Sequence, residues 1–406
     1  MKCRFCISKL HQSFADLGFA PPSNSYLDAN DLSRPEHYYP LRVQVCENCW
    51  LVQTEDYAEK GEFFSATYAY FSSTSASWLD HAKTYCADIT KRLGLGQQSF
   101  VIEVASNDGY LLNNFVAAGI PCLGIEPTAS TAAAAEALSV PTLREFFGAA
   151  LGQRLASEGR KADLIVGNNV FAHVPDINDF TKGLATVLKK SGTITLEFPH
   201  LLRLIENTQF DTIYHEHFSY FSLHTAKRIF EAHGLRIIDV VELSTHGGSL
   251  RIFGCHEDDP RAATNVENIL NLEAAFGLQN IETYAKFQQA IEKLKDGLLR
   301  FLLDAKRDGK KVIGYGAAAK GSTLLNFAGV KPDLLPFICD AAPSKQGKFM
   351  PGSHIPIHAP SALKTADADF ILILPWNIAA EVMEKTRDMV SDKTRYVVAV
   401  PELKIL

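Results

Sequence analysis

Apolar runs of four to eight residues, bounded by glycine, proline and polar clusters, alternate along this chain with stretches of helical spacing. From about Ala76 a helical stretch leads into "QSFVIEVASNDG", and "PCLGIEPTAS", "ADLIVGNNVF" and "SGTITLEFPH" follow with helices between them. Runs that are apolar on both faces suit strands covered by helices on each side, so the alternation predicts a doubly wound parallel sheet. "LRIIDVVEL" and "SLRIFGCHE", joined by "STHGG", read as a terminal hairpin that adds one antiparallel strand. A charged, amphipathic stretch of one or two helices follows, roughly Asn265 to Asp308. Then "KKVIGYGAAAKG", "PFICDAAPSKQG" and "ADFILILPWN" restart the pattern as a second, smaller α/β domain. Ahead of the sheet, "FFSATYAYFSSTS" is aromatic and serine-rich and reads as a connection or lid. The expected organisation is α/β in three parts: residues 1–75, 76–258 and 259–406.

Length agrees with this division, since 406 residues exceed one ordinary core and suit two or three domains of roughly 150 residues. With 47% hydrophobic and 21% charged residues and a net charge of −6, the composition is that of a globular enzyme. Mild acidity and the lack of a Lys/Arg block argue against nucleic acid or an anionic membrane as partner. The start "MKCRFC" has no apolar segment of the kind a secretory signal needs. The most apolar late run is broken by Pro375 and is too short to span a bilayer. A cytoplasmic protein, monomeric or a small homo-oligomer, is expected.

In a reducing compartment cysteines are more often ligands or core residues than disulfides. Four of the eight are paired, as Cys3-Arg-Phe-Cys6 and Cys46-Glu-Asn-Cys49. Each C-x-x-C lets two thiolates grip one ion, and two such knuckles make a closed tetrahedral zinc site; a redox pair is the alternative. A closed four-thiolate site leaves no position for substrate, so its role would be to hold a small domain together. Cys86, Cys122, Cys255 and Cys339 stand singly in apolar contexts and are expected in the core.

A doubly wound sheet binds ligands at the carboxyl ends of its strands. The first of these strands delivers "EVASNDGYLL", with Glu103, Ala105, Asn107 and Gly109; its small residues let the backbone approach a ligand. The second ends in "GIEP", placing Glu126 where an acid accepts from both ribose hydroxyls. This pattern is shared by NAD and S-adenosylmethionine folds. The turn is E-x-A-x-N-x-G and lacks the G-x-G-x-x-G that admits a pyrophosphate, and the preceding helix and later antiparallel hairpin form the class I methyltransferase layout. Both favour S-adenosylmethionine. Asn168, Asn169 and His173 in "NNVFAHVPD" fall on the same edge, where strand-end capping is the bland alternative.

"EVASNDGYLL", "NNVFAHVPDINDF" and "IYHEHFSYFS", together with the paired cysteines and "GYGAAAKGSTLLNF", resemble the zinc-containing, S-adenosylmethionine-dependent C-methyltransferases of nucleotide-linked keto-deoxysugars. The resemblance covers essentially the whole chain, in order. Carbon methylation needs a carbanion equivalent, and a 4-keto sugar supplies one by losing the proton at C3. That chemistry calls for a base of near-neutral pKa, donors for the enolate oxygen, and an aligned methyl donor. "IYHEHFSYFS" is dense in suitable groups. The resemblance implies His217 as base, with Glu216 orienting it or holding a sugar hydroxyl and Tyr214 donating to substrate or enolate. It also implies site positions for Tyr68 and His173. Methylation at C3, and the choice of His217 over His215, rest on the resemblance alone. A metal on His215, Glu216 and His217 is the weaker reading, because alternate side chains of an extended segment face opposite ways and no third partner follows at metal-site spacing.

"VIGYGAAAKG" places Gly314-x-Gly316-x-x-Ala319 after a strand, and Asp340 ends the next one; alone, this is a dinucleotide fingerprint. It supports the competing reading, an NAD(P)-dependent nucleotide-sugar oxidoreductase or epimerase. The resemblance implies instead a Rossmann-like domain without NAD, whose junction with the methyltransferase domain holds the substrate nucleotide. Gly316 and Lys320 are then assigned to the diphosphate, through N–H groups at a helix start. A glycine kept for close strand–helix packing is the plain alternative.

Overall fold

The computed structural model describes residues 1–57 and 71–406; Tyr68 lies outside the described residues. At the N-terminus β1 (Gln12–Ala20), β2 (Tyr39–Val45) and β3 (Val52–Thr54) form an antiparallel sheet. The central sheet follows: β4 (Val101–Val104), β5 (Cys122–Ile125), β6 (Thr142–Leu143), β7 (Ala162–Asn168) and β8 (Leu188–Pro199), all parallel. The short β9 (Ser219–Tyr220) then leaves for the first sheet, where it pairs with β3. The hairpin β10 (Leu235–Leu243) and β11 (Ser249–His256) completes the central sheet in the order β10-β11-β8-β7-β4-β5-β6, with β11 antiparallel to both neighbours. The doubly wound sheet with one antiparallel strand is thus as the apolar pattern predicts. The two-residue β6 and the migrating β9 are additions.

The strands read as continuous apolar runs because both faces are covered. Successive side chains of a strand point to opposite faces. Ile102 and Ile165 accordingly pack with Phe180 and Leu184 of the helix Ile177–Val187. Val101 and Leu164 pack on the other side with Tyr85 and Ile89 of the helix Ala76–Leu93. That second helix buries Ala82, Tyr85, Cys86 and Ile89, the three- and four-residue spacing of one helical stripe. Ser75 caps its start, and Gly94 ends it with a left-handed backbone (φ 62°).

Helices Val266–Phe276, Ile281–Ala285 and Phe287–Arg307 bridge to the C-terminal domain. Its strands are β12 (Val312–Tyr315), β13 (Ile338–Cys339), β14 (Ile357–His358), β15 (Phe370–Ile373), β16 (Arg395–Val398) and β17 (Lys404–Ile405). They lie in the order β14-β13-β12-β15-β16-β17, parallel except for the last. The N-terminal sheet docks here too: the Phe14 ring stacks on Phe287 at 4.3 Å, within one core that also holds Leu41, Leu298 and Leu324. Three sheets therefore converge where β8, the 209–217 segment and the helix Ala319–Ala328 meet.

Candidate active site

The loop after β4 turns through three left-handed residues, Ala105 (φ 58°), Asn107 (φ 49°) and Gly109 (φ 78°). A β carbon at Gly109 would sit 3.1 Å from Ala135 and Val140, so close packing as well as φ favours glycine there. Glu126 braces the loop: one carboxylate oxygen accepts from the Asn107 N–H at 3.0 Å and the other from Thr128 N–H at 2.9 Å. Asn107 Oδ1 and Asp108 Oδ2 accept from Ser72 and Ser73 N–H, which ties the loop to the approach of the helix Ala76–Leu93. Several buried polar atoms at this edge have no partner among the described residues: Glu103 Oε2, Asp108 Oδ1 and both amide atoms of Asn168. Burial, then Asp108 and Glu126, push the Glu103 carboxyl well above its ordinary range. Leaving such groups unpaired costs about 1–3 kcal/mol each. Donors and acceptors gathered at the carboxyl edge fit the ammonium, carboxylate and ribose of S-adenosylmethionine.

The YHEH segment is not extended through its histidines. His217 N–H donates to the Tyr214 carbonyl at 2.9 Å, closing a turn, and the turn folds the Tyr214 hydroxyl to within 2.7 Å of His217 Nε2. His217 Nδ1 lies 2.8 Å from the Thr212 carbonyl oxygen. A carbonyl can only accept, so Nδ1 carries the proton and Nε2 presents the lone pair. Burial, and after it the neighbouring His173, His246 and Lys320, hold His217 well below the ordinary imidazole pKa of 6.5. His173 packs edge-on against it at 4.6 Å and is itself pushed down to about 4 by burial. His215 diverges toward the N-terminal sheet, with its Nε2 3.3 Å from the Tyr39 carbonyl. Both oxygens of Glu216 accept from Asn24 Nδ2, at 2.8 and 3.0 Å. The carbonyl of Thr212, not Glu216, fixes the His217 tautomer.

The C-terminal domain closes the third side. Lys320 Nζ donates to Asn377 Oδ1 at 3.0 Å and lies 4.7 Å above the Trp376 ring. Trp376 Nε1 donates to Asp211 Oδ2 at 2.8 Å, and burial raises Asp211 to about 6. Thr323 Oγ1 donates to the Ile213 carbonyl at 2.8 Å, so the helix after the glycine turn also holds the segment that orients His217. Gly316 is left-handed (φ 88°), and a β carbon there would collide with the Pro375 ring. Asp340, where a dinucleotide acid would stand, accepts from Ala317 N–H at 2.7 Å and Ala342 N–H at 2.8 Å. Glu126 braces the first turn with the same pair of backbone bonds. Tyr26 of the N-terminal domain reaches the same place, donating to the Ala317 carbonyl at 2.6 Å. Asn24, Thr212, Asp211 and Trp376 have no motif signature. Their contribution is position, which the sequence carries only through the fold.

The four paired cysteines meet, with their sulfurs all within 4.8 Å of one another. Each knuckle is followed by a left-handed residue, Ile7 (φ 64°) and Trp50 (φ 63°), whose N–H returns to the first cysteine's carbonyl at 3.0 and 2.8 Å. The metal alternative at His215, Glu216 and His217 finds no such cluster among the described residues.

A parallel sheet with an antiparallel hairpin, a braced acid after its second strand and unpartnered polar groups at its carboxyl edge defines a class I methyltransferase. Comparison with known proteins agrees over the whole length. Residues 3–64 match a zinc binding domain family, 78–240 a methyltransferase domain family, and 244–401 the C-methyltransferase C-terminal domain family. The chain is 34% identical over 410 residues to C-methyltransferase NovU of Streptomyces niveus, covering 100% of this chain and 96% of that relative. It belongs to this family of S-adenosylmethionine-dependent C-methyltransferases, with a four-cysteine zinc site. Solved structures are more distant. The magnesium protoporphyrin IX methyltransferase of Synechocystis with bound SAM aligns at 14% identity and a TM-score of 0.34, covering 44% of this chain and 79% of its own. A Pyrococcus horikoshii protein aligns at 13% and 0.37, covering 50% and 100%. Among the described residues no helix is long and apolar enough to cross a membrane.

Proposed function

We propose that this enzyme methylates C3 of a nucleotide-linked 4-keto-deoxysugar through an enolate, with His217 as the base. The observation that carries this reading is the buried His217. Its Nδ1–H is held by the Thr212 carbonyl, and its Nε2 lone pair is covered by nothing but the Tyr214 hydroxyl among the described residues. A carbon acid next to a ketone needs a neutral, fixed base of this kind, and a substrate C–H would take the position that Tyr214 holds. The Tyr214 hydroxyl is then released to a sugar or enolate oxygen. Glu216, clamped by Asn24, accepts from a sugar hydroxyl, and His173, edge-on to His217, lines the hexose site; the family resemblance assigns Tyr68 to the same site. Glu103, Ala105, Asn107, Gly109, Glu126, Asn168 and Asn169 hold S-adenosylmethionine, which supplies an electrophilic methyl group. The three domains are residues 1–75, 76–258 and 259–406, and the nucleotide lies between the last two, with Gly316 and Lys320 against its diphosphate.

Titration calorimetry with S-adenosylhomocysteine, NAD⁺ and NADP⁺, followed by turnover assays on dTDP-, GDP- and CDP-linked 4-keto-6-deoxyhexoses, tests the reading. Binding of the homocysteine compound alone and one methylated product are expected. Nicotinamide binding, or methylation of oxygen in place of carbon, would overturn it.

A further inference from the structure

Between β10 and β11 the chain turns through Thr245–Gly247 and Gly248, with His246 in the left-handed region (φ 54°). A residue with a β carbon adopts this conformation at a cost that the surroundings must offset. Here the turn is gripped on several sides. Thr245 Oγ1 donates to Glu197 at 2.9 Å, and Gln209 Nε2 donates to the Gly247 carbonyl at 2.7 Å. A β carbon at Gly247 would collide with Trp376, and one at Gly248 would meet Arg203 at 2.7 Å.

What the turn presents is an imidazole aimed inward. Asn169 Nδ2 lies 3.0 Å from His246 Nε2, and the ring lies 5.2 Å from that of Trp78. His246 is close enough to His217 and Lys320 to interact with their charges. It therefore stands beside Asn169 at the cofactor edge and within electrostatic reach of His217. Burial, and after it the Lys320 charge, push its pKa down to about 4, so it is neutral at working pH. With the Asn169 amide donating to Nε2, the proton sits on Nδ1, and this N–H has no acceptor among the described residues.

We propose that His246 donates this N–H to the carbonyl oxygen that becomes the enolate. The inference rests on the carbon-methylation reading above. When Nε2 of His217 takes the C3 proton, the C–H electron pair becomes the C3=C4 bond and the carbonyl π pair moves onto oxygen, where the His246 N–H meets it. The pair returns to reform the carbonyl as C3 takes the methyl group, the broken S–C bond's electron pair staying on the sulfur of the departing S-adenosylhomocysteine, and His217 gives its proton to water. A neutral donor next to growing negative charge binds the transition state more tightly than the ketone, which is the condition for acceleration.

The test compares wild type with His246→Asn, which tolerates the left-handed backbone, and His246→Phe, which fills the ring space beside Trp78. Deuterium exchange at C3 of a dTDP-linked 4-keto-6-deoxyhexose is followed in D₂O with S-adenosylhomocysteine bound, beside kcat and the affinities of both ligands. Both variants are expected to lose about 10²–10³-fold in exchange and in kcat, with each Kd within about threefold of wild type. Undiminished exchange in either folded variant would overturn the role, as would a loss matched by weaker ligand binding. Wild type that neither exchanges nor methylates any of the nucleotide sugars would overturn the carbon-methylation reading itself and this role with it.

Discussion

His217 can act as a base only on the nitrogen it does not use to hold itself, and the Thr212 carbonyl decides which nitrogen that is. His217→Asn keeps a donor for that carbonyl and removes the proton acceptor. Methyl transfer should fall by about 10²–10⁴-fold with S-adenosylhomocysteine affinity unchanged, and near-normal turnover would remove His217 from the mechanism. The pH profile follows from the same burial. A base must be unprotonated, and burial with nearby His173 lowers the pKa of this one. The acid limb of kcat/KM should therefore lie below the ordinary imidazole value of 6.5, and a limb centred at or above that value would contradict the assignment. The dense polar residues of "IYHEHFSYFS" marked a candidate site in the sequence. The role of Thr212 did not, because it acts through a backbone oxygen that every residue possesses.

At the level of elements, the carboxyl edge of the central sheet is pinned by a buried cluster. Glu197 on β8 lies opposite Arg251 on β11 in the sheet register. It takes Arg251 Nη2 at 2.6 Å and His81 Nε2, from the helix Ala76–Leu93, at 2.9 Å. Burial alone would raise this carboxyl, yet His81 and Arg251 hold it down to about 2. Its contribution to stability is thus complete above the ordinary carboxylate value of 4.5 and is lost as pH falls through about 2. Arg251→Met would leave the carboxylate buried with only His81 and Thr245 and should cost about 3–5 kcal/mol, measured by urea unfolding at neutral pH. A loss under about 1 kcal/mol would show that the pair is not what holds the edge. The long strands and this hairpin were legible because an apolar run buried on two faces leaves a continuous signature. β9 was not, since two residues cannot display a period and their partner, β3, comes from a different sheet.

Across the whole molecule, the four-cysteine cluster and His217 are linked by a short chain of contacts. Gln53 Nε2 donates to Cys3 Sγ at 3.2 Å, Gln53 pairs with Ser219 in the β3–β9 register, and Ser219 is two residues from His217. Thr54 adds two ties: its N–H donates to the Phe218 carbonyl at 3.1 Å and its hydroxyl to the His217 carbonyl at 3.2 Å. Asn24 of the same N-terminal region clamps Glu216. A four-thiolate site contributes folding energy to the domain around it, so removing the metal should release β3 and with it the YHEH turn. The S-adenosylmethionine edge is different, for β4, β5 and β7 belong wholly to the central sheet. Stripping zinc with a chelator, or Cys46→Ser, should therefore lower methyl transfer by at least about 100-fold, the scale of a misplaced base. S-adenosylhomocysteine should still bind within about threefold, and added zinc should restore activity to the stripped wild type. Full activity in protein verified to be metal-free would break this link. Parallel loss of cofactor binding would mean instead that the metal holds the entire fold and not the base in particular. The distinction matters for how the enzyme works, because the first outcome makes the N-terminal domain part of the active site and the second makes it scaffold.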